Sequence, residues 1–523
     1  MIFCSALIKI INESDIIPLT EGMCLSNQGF QFQVVLDRRK RCNEKINVSG
    51  RLSGFCTAYR VLNMHGEYDH PLNKKTDDYY IKADDGEYPD LLREVTVLTT
   101  EPDEECILLI DISEREKPQG EHTLEMEIGE ERGEIKIGVS DKKLVETDLI
   151  LTNWLHHDCI SNYYNVHPYS QEFYERFDWF LSSYARMGNT MILLPAFTPP
   201  LDTEVGGERL TTQLVKVKKQ NGVYFFDFSK MKKLILLCEQ KGIKYFEHSH
   251  LFTQWGGEYC PKIIVEENGK EYNAFGWRVS SEDERYTDFL KAYLPALCEF
   301  VKQEGLTDRF YLHLTDEPRP MHIEKYKRLS RLVKKYCGEL KTIDALSEKA
   351  AAEQVDMPVV AMNSKDLPLF DKNKMLYYCV EVDNDGITNR FFNMPLQRTE
   401  ILGFQLYENA AKGFLHWGYN FYNTQLSKAQ VNPYYDASAG GGFPAGDSFL
   451  VYPGTKNIEL SVRYFSIKRA FEDYRLLKTA EKKLGKEKTL ELLHTEGVSG
   501  VHKYPRSALW HQSFREKIVK LMN

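Results

Sequence analysis

Hydrophobic and polar positions change rhythm once along this chain, near residue 146. Before it, short runs alternate, as in Phe30-Gln-Phe-Gln-Val-Val-Leu36 and Glu134-Ile-Lys-Ile-Gly-Val139, with turn residues between them. A period of two means strands with one buried face, so residues 1–146 are predicted to be an all-β sandwich domain. After it, short apolar runs alternate with amphipathic patterns of helical period. Eight strands are predicted: Asp148–Asp158, Asn189–Phe197, Lys244–His250, Phe310–Glu317, Lys341–Leu346, Met357–Asn363, Met375–Glu381 and Gly413–Asn420. Helical patterns lie between them at Gln171–Met187, Ser229–Lys241, Asp283–Glu304, His322–Cys337, Ser347–Gln354, Leu367–Asp371 and Leu396–Lys412, and another follows at Asn457–Leu477. Strand and helix in alternation give parallel strands joined by crossover helices. The predicted fold is therefore multidomain: the sandwich, a (β/α)₈ barrel of TIM type over 147–478, and a short helical C-terminal tail over 479–523. An open doubly wound sheet is the alternative to the barrel.

Several of these strands begin apolar and end polar: His156, His157 and Asp158; His248 and His250; Thr315, Asp316 and Glu317; Asn363; Glu381; Trp417 and Asn420. In a barrel the first half of each strand fills the core and the carboxyl ends carry the site. The sharpest of them is Leu314-Thr-Asp-Glu-Pro318, where two carboxylates close an apolar run. Glycoside hydrolysis needs one proton donor at the leaving oxygen and a second group at the anomeric carbon. Consecutive strand residues point to opposite faces, so both can face a site only where the strand gives way to its loop. Adjacent acids suit a substrate-assisted route, in which the sugar's own 2-acetamido oxygen is the nucleophile. The competing reading of the pair is a cap for the helix that starts near Pro318–Pro320.

Composition narrows the field. The chain has 523 residues and a formal net charge of -9, which speaks against a nucleic-acid surface. The basic run Arg38-Arg39-Lys40-Arg41 reads as a solvated turn. Eleven scattered cysteines with no CxxC spacing form neither a disulfide framework nor a zinc site. The first residues, MIFCSALIKIINESD, lack the basic start and cleavage site of a signal peptide, so the expected location is cytoplasmic with reduced thiols. No run approaches 18 apolar residues, and no membrane span is expected. The Gly-rich segment Asp436–Asp447 does not precede GK[ST] and reads as a mobile loop over the barrel mouth.

The segments TNWLHHD (152–158), LLPAFTPPLDTEVGGERLTTQL (193–214), YFEHSHLFTQWGG (245–257), LHLTDEPRP (312–320), NRFFNMPLQRTEILGF (389–404), GFLHWGYNFYN (413–423) and GDSFLVYPG (446–454) resemble glycoside hydrolase family 123 and the wider related barrel-domain proteins of unknown function. The resemblance covers most of residues 148–475, in order, and the family's β-sandwich matches the N-terminal stretch. It implies an exo-acting retaining β-N-acetylgalactosaminidase that works by substrate assistance. Asp316 would orient the acetamido group and Glu317 would be the general acid/base.

The expected substrate-binding residues are His156, Asp158, His250, Trp255, Asn363, Asn389, Arg390, Trp417, Tyr419, Asn420 and Asp447. Trp255 and Trp417 offer flat faces to sugar C–H groups, while the others offer hydrogen bonds to hydroxyls; packing roles compete for each. His248 and His250 have the spacing for a shared strand face, yet no metal and no cofactor are expected. The expected partner is a glycan or glycoconjugate ending in an amino sugar, and a homodimer is compatible with the sequence. Three alternatives remain open: a glycosidase of the same fold acting on another sugar with Glu247 or Glu381 as nucleophile, a non-catalytic carbohydrate-binding barrel, and a metal-dependent hydrolase built on the histidines.

Overall fold

The computed structural model describes residues 1–67, 78–371, 373–378 and 386–522. Cys379 and Glu381, with the end of the seventh predicted strand, lie outside the described residues. Eight parallel strands form one sheet: β1 (Ile150–Asn153), β2 (Met191–Leu194), β3 (Tyr245–His248), β4 (Phe310–His313), β5 (Lys341–Leu346), β6 (Met357–Ala361), β7 (Met375–Tyr377) and β8 (Gly413–His416). The hydrogen-bonded order runs β1-β8-β7-β6-β5-β4-β3-β2. The Thr190 N–H donates to the Leu151 carbonyl at 2.9 Å and the Leu151 N–H to Thr190 Oγ1 at 2.9 Å, drawing β1 and β2 together. The result is a nearly closed barrel, not an open doubly wound sheet. Its interior is packed by Ile150, Met191, Tyr245, Tyr311, Ile343, Met357, Val359, Met375 and Leu415, one or two from each strand.

Every predicted barrel strand is present, but most stop earlier than their apolar-to-polar pattern suggested. The first ends at Asn153, and the helix His157–Tyr164 takes up the two residues His157 and Asp158. The third ends at His248, so His248 and His250 do not share a face. His248 turns outward to the Tyr293 hydroxyl (2.7 Å), whereas His250 turns inward against Trp154 and His313. The helices Gln171–Arg186, Ser229–Gln240, Glu284–Gln303 and Ile323–Tyr336 fall where their periodicity placed them. Unforeseen was a four-stranded sheet made of two hairpins, Lys216–Gln220 with Val223–Asp227 and Ile263–Glu267 with Lys270–Phe275. Each turns on an Asn-Gly pair, Asn221-Gly222 and Asn268-Gly269, with all four residues at positive φ. That dipeptide is the strongest short-range hairpin signal in a sequence.

The N-terminal residues form a six-stranded and a five-stranded sheet. Phe32, Val34, Leu108 and Ile110 of the first share one hydrophobic cluster with Leu124, Met126, Ile135 and Ile137 of the second. Arg41 from the basic run is not solvated; it is buried and paired with Glu131. After the barrel the chain returns: Leu460–Ser461 pair with Leu91–Leu92 as the last strand of the six-stranded sheet. The helix Val462–Leu484 follows and continues through residue 478, and Lys486–Thr495 and Ala508–Met522 pack beside it through Leu476, Leu493, Phe514 and Ile518. Among the described residues no helix is long and apolar enough to cross a membrane.

Candidate active site

Beyond the carboxyl ends of the strands lies a cavity of about 460 Å³, lined among others by Trp154, Asp202, Trp255, Asp316, Glu317, Tyr377 and Trp417. The carboxylate pair Asp316 and Glu317 stands on its wall. β4 ends at His313, and Glu317 takes a left-handed conformation (φ 46°). The strand alternation is thereby broken, and both acids line the same cavity. Such a conformation in a non-glycine residue is strained and persists only where its surroundings hold it. Here the Glu317 N–H donates to the Ala345 carbonyl at the end of β5 (3.0 Å), and the Tyr377 hydroxyl donates to Glu317 Oε1 (2.9 Å). A second strained residue, Trp255 (φ 58°), donates its N–H to the Asp316 carbonyl (2.7 Å).

Beneath the pair, the barrel interior is polar. His313 is buried, with Nδ1 donating to Glu247 Oε1 at 2.5 Å and Nε2 3.3 Å from Asp344 Oδ1. Trp154 Nε1 donates to the other oxygen of Glu247 (3.1 Å), and Thr315 holds Asp344 Oδ2 through its N–H (3.0 Å) and hydroxyl (2.9 Å). Burial alone would lower His313, but its bonds to Asp344 and Glu247 raise it to about 10, so it is a cation at neutral pH. Burial first, then the Glu317 charge, lift Asp316 well above the usual carboxylate range; Asp344 and Glu247 add to this and the His313 cation opposes it. The Glu317 charge beside it thus favours the protonated form of Asp316.

His250 stacks on His313 with ring centres 3.8 Å apart, and among the described residues neither of its nitrogens has a hydrogen-bond partner. His250, His313 and Asp316 each place one ligand atom within 4.8 Å of the others. Both His313 nitrogens, however, already face carboxylates, Nδ1 bonded to Glu247 and Nε2 3.3 Å from Asp344 Oδ1. The set suits a buried proton network better than a cation.

Of the expected site residues, Asp316, Glu317, Trp255, Asn363 and Trp417 line the cavity. Trp417 packs edge-on against Phe421 and Phe443, and its indole N–H donates to Asp447 Oδ2 (3.0 Å). Asp447 is buried, so it positions that ring from behind. The remaining residues lie outside the cavity wall. Asn420 accepts the His156 N–H (2.8 Å) and donates to its carbonyl (3.1 Å), lacing the end of β8 to that of β1. Asp158 accepts two bonds from buried Arg209 (2.8 and 2.7 Å). Arg390 donates to Asn153 Oδ1 (3.0 Å) and to the carbonyls of Gly418 and Asp447. Asn389 accepts the Arg390 N–H (2.8 Å), and Tyr419 turns outward to Ser183 (2.7 Å). These polar groups were expected to meet sugar hydroxyls, but protein groups take up their hydrogen bonds. Glu247, the alternative nucleophile, is fully buried and bonded to Trp154 and His313. The Gly-rich segment is no free lid: Ala437, Ala439, Phe443 and Ala445 are buried, and Phe443 forms part of the wall.

Sequence reasoning missed the lining residues Asp202, Gln254, Glu348 and Tyr377. Tyr377 sat in plain view at the end of an apolar run, whereas Asp202 and Gln254 belong to irregular loops with no periodicity to read.

Residues 154–480 match the catalytic domain of glycoside hydrolase 123. No curated protein matches the sequence. Among solved structures, a family 123 glycoside hydrolase from Clostridium perfringens superposes with a TM-score of 0.74 at 14% identity, covering 100% of this chain and 97% of that one. A family 5 mannosidase from Rhizomucor miehei follows at a TM-score of 0.37 and 11% identity, covering 64% of this chain and 94% of its own. A putative β-galactosidase from Bacteroides fragilis reaches 0.34 at 12% identity, over 84% and 58%. With the catalytic-domain match spanning most of the chain and the carboxylate pair lining the barrel mouth, this protein belongs to glycoside hydrolase family 123 and is a glycoside hydrolase.

Proposed function

We propose that the enzyme is an exo-acting retaining β-N-acetylgalactosaminidase working by substrate assistance. The observation that carries this reading is the adjacency of Asp316 and Glu317 in one cavity, an arrangement suited to a substrate that brings its own nucleophile. The acetamido oxygen attacks the anomeric carbon while the Glu317 carboxylic acid protonates the leaving glycosidic oxygen. Asp316 accepts the acetamido N–H and offsets the charge that grows on the oxazolinium ring. Glu317, now a carboxylate, then takes a proton from the water that opens that ring, and the anomeric configuration is retained. Trp417, fixed by Asp447, stacks on the sugar. The Clostridium perfringens relative is described for glycolipid glycan hydrolysis, which favours a glycoconjugate substrate here. The same reading divides the chain into a β-sandwich over 1–146, the catalytic barrel over 147–478 and a helical tail over 479–523, in a cytoplasmic enzyme.

The test is hydrolysis of an aryl β-N-acetylgalactosaminide by wild type, Asp316→Asn and Glu317→Gln. Each variant is expected to lose at least about a hundredfold in kcat, and a thiazoline analogue of the sugar to inhibit the wild type. Near wild-type rates in both variants would remove the assignment. Equal turnover of the 2-hydroxy sugar would remove the substrate-assisted half.

A further inference from the structure

Besides Asp316, Glu317 and Glu348 a fourth carboxyl, Asp202, lines the cavity, and the chain distorts itself to put it there. Asp202 has φ 37°, outside the range that side-chain-bearing residues ordinarily adopt. Two other loops hold it in place. Gln254 Oε1 accepts its N–H (2.5 Å), Ser427 Oγ donates to its carbonyl (2.7 Å), and the Leu426 N–H donates to its Oδ2 (2.8 Å). Leu426 and Ser427 are themselves left-handed, at φ 61° and 52°. Gln254 also donates to the Thr203 carbonyl (3.2 Å), and its neighbour Trp255 binds the Asp316 backbone. The loop bearing Asp202 is therefore tied, through a single turn, to the residue proposed to hold the acetamido group. A strained backbone fixed from two sides is the usual mark of a side chain held for a purpose.

The carboxyl has an acceptor to spare. Oδ2 is engaged by Leu426, while among the described residues Oδ1 makes no hydrogen bond. Burial pushes the group up to about 6, with the Leu426 bond and buried Arg209 pulling against it, so at neutral pH it remains largely an anion. A half-buried anionic oxygen on a cavity wall suits a sugar hydroxyl, because a charged acceptor makes the stronger kind of hydrogen bond.

We propose that Asp202 is a specificity-determining residue, accepting a ring or exocyclic hydroxyl of the terminal sugar through Oδ1. This inference rests on the glycosidase reading of the cavity but not on which sugar it takes. A substrate lacking the bonded hydroxyl leaves the charged Oδ1 on the cavity wall without its partner, and a site built to bond a hydroxyl discriminates against analogues that lack it.

The experiment compares Asp202→Asn with wild type on the aryl glycoside turned over fastest in a screen and on its monodeoxy analogues. Asn keeps an amide oxygen for the Leu426 N–H, so the loop anchor survives. The expected result is a KM raised at least about tenfold with kcat little changed. One deoxy analogue should show the same KM in both proteins, because the contact is already gone. An unchanged KM, or the same loss on every analogue, overturns the proposal. Calorimetric titration of the free monosaccharides into Glu317→Gln, with and without Asp202→Asn, reads the same contact without turnover. If wild type hydrolyses no glycoside yet the titrations separate the two proteins, the mechanism fails and Asp202 stands. If they do not separate, Asp202 fails as well.

Discussion

At the residue scale, the barrel interior holds one buried cation between two carboxylates. His313 lies beneath the Asp316–Glu317 pair, and its charge pulls Asp316 back toward ionisation. Its folded pKa of about 10 lies above the unfolded value of about 6.5. A group raised in this way contributes stability that is full below about pH 6.5 and is lost as pH rises through about 10. His313→Gln should therefore be less stable than wild type near neutrality, and the gap in Tm should narrow steadily toward pH 10. A gap independent of pH would mean that His313 is not charged in the fold. Of this network Asp316 and Glu317 were singled out from the sequence as the acid pair and Glu247 as an alternative nucleophile, since acids closing an apolar strand are conspicuous. His313 and Asp344 looked like ordinary members of strands, because burial and pairing are properties of three dimensions.

At the element scale, the site depends on where strands stop. β8 ends at His416, and the next residues turn so that Trp417 faces the cavity while Gly418 passes close to a neighbouring loop. A Cβ on Gly418 would lie 2.5 Å from the Ser448 carbonyl oxygen and 2.8 Å from its carbon, both backbone atoms that cannot step aside. Gly418→Ala is expected to cost about 1–3 kcal/mol of stability. It should also raise KM by shifting the loop that carries Asp447 away from Trp417. Denaturation midpoints and steady-state kinetics measure both, and an alanine variant matching wild type would show that the approach is not tight. The early strand ends also explain the fate of the polar residues past them. Periodicity continues to suggest a strand until a turn intervenes, and His156, Asp158 and Asn420 were placed by that extrapolation. They lace β1 to β8 and to Arg209, and so hold the barrel end in shape.

At the scale of the whole molecule, the chain closes on itself. Arg463, in the helix that leaves the barrel, is buried and donates to both oxygens of Asp90 in the N-terminal sheet (2.7 and 3.0 Å) and to the Phe449 carbonyl (2.7 Å). The Tyr452 hydroxyl completes the Asp90 shell at 2.7 Å. Removing one partner of such a pair leaves a buried charge uncompensated, so Arg463→Met should destabilise by about 3–5 kcal/mol in denaturant titration. A loss below about 1 kcal/mol would show that Asp90 is reached by water or neutralised. The β-strand added by Leu460–Ser461 makes the same link through the backbone. The N-terminal sheets and the barrel are therefore joined at both ends of the barrel sequence.

The order of barrel strands and their main helices, the barrel class and the acid pair that lines its mouth were legible in the sequence, because each is written in short-range pattern: a period of two, a period near 3.6, or two acids at the end of an apolar run. Tertiary structure alone decided which polar groups meet the cavity and which meet each other. Asp202, Gln254 and Tyr377 became lining residues, and Arg390, Asn389 and Asp158 became framework, according to which loops cross at the barrel mouth. The physical reason is that a buried polar group must find a partner. In this molecule the partner usually lies tens or hundreds of residues away, beyond what local periodicity can record.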